Sequence, residues 1–129
     1  MKKIKEEIYK YITDDGEVFY KEEDALEHKY EIIIKRLCKN LKKIESCNMY
    51  SFYTINNREE LEALNETYRQ CDSSLIKFNI DDIKVFPVLI CEETHDGWFS
   101  YFKTIDDLIM NHELIVEELK ALKLEISGL

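Results

Sequence analysis

Residues 105–126 carry the pattern that most constrains the fold. Seven positions there alternate spacings of three and four residues, and all but one are apolar: Ile105, Leu108, His112, Ile115, Leu119, Leu122 and Ile126. An α-helix with one continuous buried side has this spacing. Thr104 with Asp107 is a capping pair for its start, and Gly128 suits its end. The pattern predicts a long helix that packs within the chain, although an unbroken seam of this length also suits a coiled coil between two chains.

Residues 19–37 and 101–119 form an approximate internal repeat. They are identical at six of 19 aligned positions, and an Asp-Gly pair lies just upstream of each copy. Asp-Gly between alternating apolar residues predicts a β-hairpin, because glycine adopts the positive φ that the turn requires. We therefore expect two β-hairpin–helix units, about 8–45 and 83–127, related by a pseudo-two-fold axis. A strand–helix insert at about 46–82 would complete a single domain spanning 1–129.

The remaining signals predict an α+β fold with a mostly antiparallel sheet packed by helices. Strands are expected at 8–13, 18–20, 49–55, 75–80, 83–91 and 98–102, and further helices at 22–44 and 58–70. Asn57 and Glu60 form a plausible capping pair for the second helix. Because Pro87 has no amide hydrogen, the strand around it is expected at a sheet edge or with a bulge.

Composition favours a folded, cytoplasmic protein. Of the 129 residues 45% are hydrophobic, no basic-apolar leader opens the chain, and no apolar run reaches the roughly 20 residues that span a bilayer. The four cysteines, Cys38, Cys47, Cys71 and Cys91, have no C-x-x-C spacing. We expect them to be buried, reduced thiols and not zinc ligands or disulfides.

No motif for catalysis or cofactor binding is present. The three glycines are isolated, which argues against phosphate-binding loops, and there is no G-x-S-x-G. His95 lies near Cys91 and Asp96, but a polar hairpin tip is the favoured interpretation over a metal site or a Cys–His nucleophile pair. His112 is expected to be half-buried in the stripe, and His28 to be solvated. The sequence thus predicts a non-enzyme without metal or cofactor.

The net charge of −9 arises entirely in residues 46–129, where 16 acidic residues face 7 basic ones. Such a chain repels nucleic acid and attracts basic proteins. Carboxylates on the last helix and the preceding hairpin are expected to form one acidic face, with exposed aromatic residues as interface anchors. The candidate partner-binding residues are therefore Glu92, Glu93, Asp96, Trp98, Tyr101, Asp106, Asp107, Glu113, Glu117 and Glu118.

The segment 11–28 (YITDDGEVFYKEEDALEH) resembles an opening found in small proteins of bacteriophages and mobile elements of low-GC Gram-positive bacteria. Many such proteins counter host defence, anti-CRISPR proteins among them. The resemblance implies a non-enzymatic inhibitor in the host cytoplasm that binds a basic host protein, such as a nucleic-acid-binding nuclease complex, through an acidic surface that mimics nucleic acid. Direct nucleic-acid or membrane binding is not expected. The alternative is a structural or regulatory homodimer assembled through the C-terminal helix.

Overall fold

The computed structural model describes Met1 and residues 7–128. Its elements are β1 (Tyr11–Ile12), β2 (Val18–Phe19), α1 (Glu22–Lys39), β3 (Lys42–Ile44), β4 (Cys47–Ile55), α2 (Arg58–Arg69), β5 (Ser74–Ile76), a 3₁₀ turn (Ile80–Asp82), β6 (Val88–His95), β7 (Phe99–Thr104) and α3 (Ile105–Ile126). Strands β1 and β2 pair alone, and the others form one sheet in the order β3-β4-β6-β7-β5. Every pair in that sheet is antiparallel except β5–β7. The α+β class with a mostly antiparallel sheet is confirmed.

The main core lies between the sheet and the helices α1 and α2. Its buried members come from both helices and from three central strands: Ile33, Leu37, Leu61, Ala63, Leu64, Tyr53, Ile55, Ile90 and Phe102. Successive strand residues point to opposite faces, so Phe52 belongs to a second, smaller cluster on the other side. There it packs with Tyr50, Cys91 and Leu108. This second cluster is where α3 is anchored.

Helix α2 begins as the sequence predicts. The side chain of Asn57 accepts a hydrogen bond from the Glu60 amide at 2.9 Å. In return the Glu60 carboxylate accepts from the backbone amide of Asn56 at 2.7 Å. Glu60 is buried, and the Arg36 guanidinium donates to it at 3.1 Å. The capping pair is confirmed, with the reciprocal bond made to the residue before the cap.

Two predicted boundaries and one predicted position in the sheet are wrong. The first helix ends at Lys39 and not at residue 44, because residues 42–44 form β3 and pair with the edge of β4. The strand predicted at 75–80 is short and gives way to the 3₁₀ turn. Strand β6 lies in the sheet interior between β4 and β7, and not at an edge. Pro87 is tolerated because it precedes the first residue of that strand.

The internal repeat is not confirmed as an architecture. Both turn glycines have the predicted positive φ, 86° at Gly16 and 73° at Gly97. However, β1 and β2 have two residues each and form a separate ribbon, whereas β6 and β7 are long strands of the main sheet. The two helices also differ, because α1 buries Ile33 and Leu37 and α3 buries only Leu108. Similar local sequence thus occupies two different environments.

Candidate interaction surface on helix α3

Helix α3 is anchored only at its beginning. The Thr104 hydroxyl accepts a hydrogen bond from the Asp107 amide at 3.2 Å, which confirms the predicted cap. Leu108 is 6% exposed and packs in the second cluster. The last tie to the sheet is a hydrogen bond of 3.0 Å between the Tyr50 hydroxyl and Nε2 of His112. A helix of 22 residues is about 33 Å long, so most of α3 projects past its anchor.

Beyond the anchor the stripe is not buried. Every residue from 109 to 128 is exposed. The stripe residues Ile115, Leu119, Leu122 and Ile126 are 49%, 58%, 49% and 77% exposed. The prediction that the stripe packs within the chain is therefore wrong for these four, because the described strands offer no surface opposite them. His112, expected to be half-buried, is also exposed. We call residues 115–126 the outer part of α3.

An open groove runs between α3 and the β3–β4 hairpin. It has a volume of about 730 Å³, and we call it the α3 groove. Its strand side is lined by Ile44, Cys47, Tyr50 and Phe52, and its helix side includes Ile109 and Val116. Glu113 and Glu117 also line it. The groove is therefore an apolar channel with carboxylates on its helix side.

Sequence reasoning missed this groove. Ile44 was expected in the first helix, but as part of β3 it forms one wall. Cys47 and Tyr50 become neighbours of α3 only through the order of the strands. No local pattern signals that order, since it depends on contacts between distant parts of the chain.

The carboxylates of α3 are exposed, as expected of a partner-binding surface. These residues are Asp106, Asp107, Glu113, Glu117 and Glu118. Among the described residues their one ion pair is that of Glu117 with Lys120, at 3.6 Å. At about 100° per residue they fall in two rows, Asp106 with Glu113 and Glu117, and Asp107 with Glu118. The acid-rich side of α3 is therefore broad and open to solvent.

Glu92 and Glu93 are placed differently from these. Glu92 accepts hydrogen bonds from the hydroxyls of Tyr53 at 2.7 Å and Ser100 at 2.9 Å. Burial and the hydrogen bonds to Tyr68 and Glu92 raise the pKa of Tyr53, so its phenol stays protonated and acts as a hydrogen-bond donor. As neighbours on β6 the two glutamates point to opposite faces of the sheet. Glu92 therefore faces the main core and does not join the carboxylates of α3 in one acidic face, which corrects that expectation for Glu92.

Glu93 is held by an ion pair on the α3 side of the sheet. The ammonium of Lys103 lies 2.8 Å from its carboxylate and His95 lies 3.5 Å away. The Tyr50 hydroxyl donates to it at 3.4 Å. Burial by itself would raise the pKa of Glu93, but the hydrogen bond and charge of Lys103, with His95, lower it below its ordinary value of 4.5. Glu93 is thus a structural carboxylate of the domain.

We expect Lys103→Gln to lower the free energy of unfolding at pH 7 by about 1–3 kcal/mol, since it removes the cation paired with the Glu93 carboxylate, whose side chain is only 12% exposed. Because the pKa of Glu93 is lower in the folded chain than in the unfolded chain, its ionisation stabilises the fold at pH values above the unfolded pKa. This stabilisation is lost as the pH falls through the folded pKa. The difference between variant and parent should therefore shrink below pH 4.5. Urea unfolding at pH 7 and pH 3 measures it, with Lys120→Gln as the exposed control. An equal loss at both pH values would contradict the ion-pair account.

The two aromatic candidates of the β6–β7 hairpin, Trp98 and Tyr101, are at least partly exposed. Trp98 is 68% exposed, and its ring lies edge-on to Phe99 with centroids 5.7 Å apart. Tyr101 is half-buried, with the Lys77 ammonium 4.3 Å from its ring centre. Asp96 is exposed at the turn. These positions suit the interface role that the sequence predicts, at a site separate from the α3 groove lining.

The expectation that His28 is solvated is also corrected. His28 is not simply solvated, since its Nε2 lies 2.7 Å from the Asp15 carboxylate. The Thr13 hydroxyl and His28 together lower the pKa of Asp15 to about 2. This pair joins the β1–β2 turn to α1.

The cysteines are free, but not all are buried. Cys91 is buried, and burial raises the pKa of its thiol to about 11. Cys38 and Cys71 are exposed, which corrects the expectation of four buried thiols. Within Met1 and residues 7–128, no three His, Cys, Asp or Glu side chains are arranged to hold a metal ion. None of the helices in that part of the chain combines the length and apolarity needed to cross a bilayer.

No protein-family model matches the chain, and comparison with curated proteins and with solved structures also gives no match. The resemblance of residues 11–28 to phage and mobile-element proteins therefore stays a prediction. What the chain binds must follow from the surface itself: a half-exposed apolar stripe, an open apolar groove and two rows of exposed carboxylates.

Proposed function

We propose that this chain is a protein-binding protein without enzymatic activity, and that α3 is its binding element. The observation that carries this proposal is the exposure of 20 of the 22 residues of α3, apolar ones included. Monomeric proteins rarely expose apolar patches of more than a few hundred Å², and larger ones mark interaction sites. A helix that met only water would be polar on all sides. The outer part of α3 is instead apolar at regular spacing.

The acid-rich side of α3 favours a basic partner. Its exposed carboxylates lie along a rigid helix, much as phosphates lie along a nucleic-acid strand, and they suit a channel lined with Lys and Arg. We propose that the partner is a nucleic-acid-binding host protein, and that the chain inhibits it by occupying its basic channel. This is the anti-CRISPR type of function that the resemblance of residues 11–28 implies.

This function predicts salt-sensitive binding. The triple variant Glu113→Lys, Glu117→Lys, Glu118→Lys should bind the basic partner at least about tenfold more weakly, because three attractions become repulsions. The partner is to be captured on the native chain from host extract, identified and purified. Its affinity for both forms is then measured at low and high salt.

A matched control is available on α1. Glu22→Lys, Glu23→Lys, Glu27→Lys changes the net charge equally at exposed positions of another helix. This control should retain most of the affinity if α3 is the binding element. Equal weakening by both variants would show a general charge effect, and unchanged affinity of the α3 variant would refute the acidic-surface function.

A second candidate function is that of a structural or regulatory homodimer assembled through α3. The observation that favours it is the heptad spacing of the exposed stripe, which continues past the anchor from Ile115 to Ile126. Its test is the molar mass of the native chain in solution. A dimer has twice the 15.5 kDa of one chain, about 31 kDa.

A further inference from the structure

We propose that the α3 groove of one chain receives the outer part of α3 from a second copy of the same chain. This inference rests on the homodimer function proposed above, and it adds which two surfaces meet. Each chain has both the α3 groove and an exposed apolar ridge, the stripe residues in the outer part of α3. Two copies can therefore each insert this ridge into the groove of the other.

The first argument is the match in chemistry between groove and ridge. Tyr50 and Phe52 form an apolar floor, and Ile44 and Cys47 continue it to the end of the hairpin. An amphipathic helix in an apolar groove is a recurring mode of protein recognition, with anchors every three or four residues. The outer part of α3 presents anchors at that spacing, and they are about half exposed or more.

The second argument is charge complementarity. Glu113 and Glu117 line the groove, whereas both lysines of α3, Lys120 and Lys123, lie in its outer part. Residues four positions apart on a helix point within about 40° of each other. Lys123 therefore lies beside Leu119, at the border of the stripe. A helix laid in the groove can therefore bring its lysines to the acidic side of its partner. The pair of Lys120 with Glu117 in one chain is exposed and costs little to exchange.

The third argument is geometric. The groove runs beside residues 109–117, and the inserting segment is residues 115–126. If residues 115–126 of each copy lie beside residues 109–117 of the other copy, the two helices must run antiparallel. The result is a closed two-fold dimer in which the same patch is used twice.

The fourth argument is area. The apolar residues exposed along α3 include Ile109, Ile115, Val116, Leu119, Leu122 and Ile126. With the groove walls they offer several hundred Å² per chain, which is of the order of the roughly 800 Å² per partner in stable interfaces. Val116 and Ile109 belong to both the helix and the groove, so ridge and groove form one continuous surface.

The test uses two complementary charge reversals in the full chain. Glu113→Lys with Glu117→Lys, and separately Lys120→Glu with Lys123→Glu, should each weaken self-association by about tenfold or more at low salt. Mixing the two variants should restore dimers. The lysine-lined groove of the first variant then receives the glutamates of the second, and the acidic groove of the second receives the lysines of the first. Sedimentation velocity measures all three samples, and Glu22→Lys with Glu23→Lys on α1 is the control.

A second readout follows the groove itself. Cys47 lines it, so its alkylation by iodoacetamide should slow as protein concentration rises and dimers form. The exposed Cys71 should react at a constant rate and serves as the internal control. The same slowing should be absent in either charge-reversed variant alone and return in their mixture.

The outcomes separate this inference from the function on which it rests. A native dimer that neither reversal weakens would overturn the reciprocal groove arrangement but keep the homodimer. The same holds if only Lys120→Glu with Lys123→Glu weakens the dimer, which is the pattern expected of a parallel coiled coil. A chain that stays monomeric at all concentrations would overturn both. Restoration on mixing, together with protection of Cys47, supports the exchange of helices between grooves.

Discussion

Replacing Ile115, Leu119, Leu122 and Ile126 together by glutamine is expected to weaken self-association by at least 100-fold. Each change removes roughly 1 kcal/mol of apolar burial, and a dimer contains eight such positions. The sum exceeds the roughly 2.7 kcal/mol that a 100-fold change requires. Sedimentation equilibrium over a range of concentrations measures the dissociation constant of parent and variant.

The control lies on the opposite side of the same helix. Met110 and Leu114 are each 57% exposed but lie outside the stripe, so Met110→Gln with Leu114→Gln should leave self-association nearly unchanged. Helical circular dichroism should be similar in both variants, since glutamine is a good helix former. Equal loss in both would mean that general hydrophobicity drives association, against a specific stripe.

Leu108→Ala is expected to lower the free energy of unfolding by about 2–4 kcal/mol, because a buried leucine leaves a cavity. Leu119→Ala, the same change on the same helix, should cost less than about 0.5 kcal/mol in dilute solution, where the chain is monomeric. The contrast follows from exposures of 6% and 58%. Urea unfolding at submicromolar concentration measures both.

The two leucines therefore test the anchor directly. If Leu119→Ala is as costly as Leu108→Ala in the monomer, the outer part of α3 packs within the chain and the proposed binding surface does not exist. If Leu108→Ala is nearly neutral, α3 is not held by the second cluster. At higher concentration Leu119→Ala should become costly, since dimer formation adds to stability.

Local chemistry predicted much of the fold. The glycine turns at Gly16 and Gly97 and the caps of α2 and α3 are all where the sequence predicts them. Each depends on residues within a few positions of one another, such as Asn57 and Glu60. The α+β class followed from these pieces.

Contacts between distant residues were beyond local patterns. Leu41 and Ile44 continue a helical spacing, yet residues 42–44 pair with β4, and this pairing depends on a strand that the spacing does not report. The repeat suggested equal surroundings for α1 and α3, although only α1 lies over the main core. An apolar stripe indicates that one face of a helix packs against another surface. It does not indicate whether that surface belongs to the same chain or to a partner.

The candidate site was predicted in part. The exposed carboxylates of α3 and the accessible Trp98 agree with the pattern of charge and aromatic residues. Glu93 does not agree with it, because its carboxylate pairs with Lys103 of the neighbouring strand β7, which lies diagonally across from it and opposite Cys91. Such cross-strand partners follow from register, which the sequence pattern left open.

The molar mass of the native chain, measured by sedimentation equilibrium from submicromolar to high micromolar concentration, tests the central claim of binding through α3 most directly. The exposed stripe and groove predict a reversible shift from 15.5 kDa toward about 31 kDa as concentration rises. A mass that stays at 15.5 kDa throughout, with no protection of Cys47, would contradict self-association through α3.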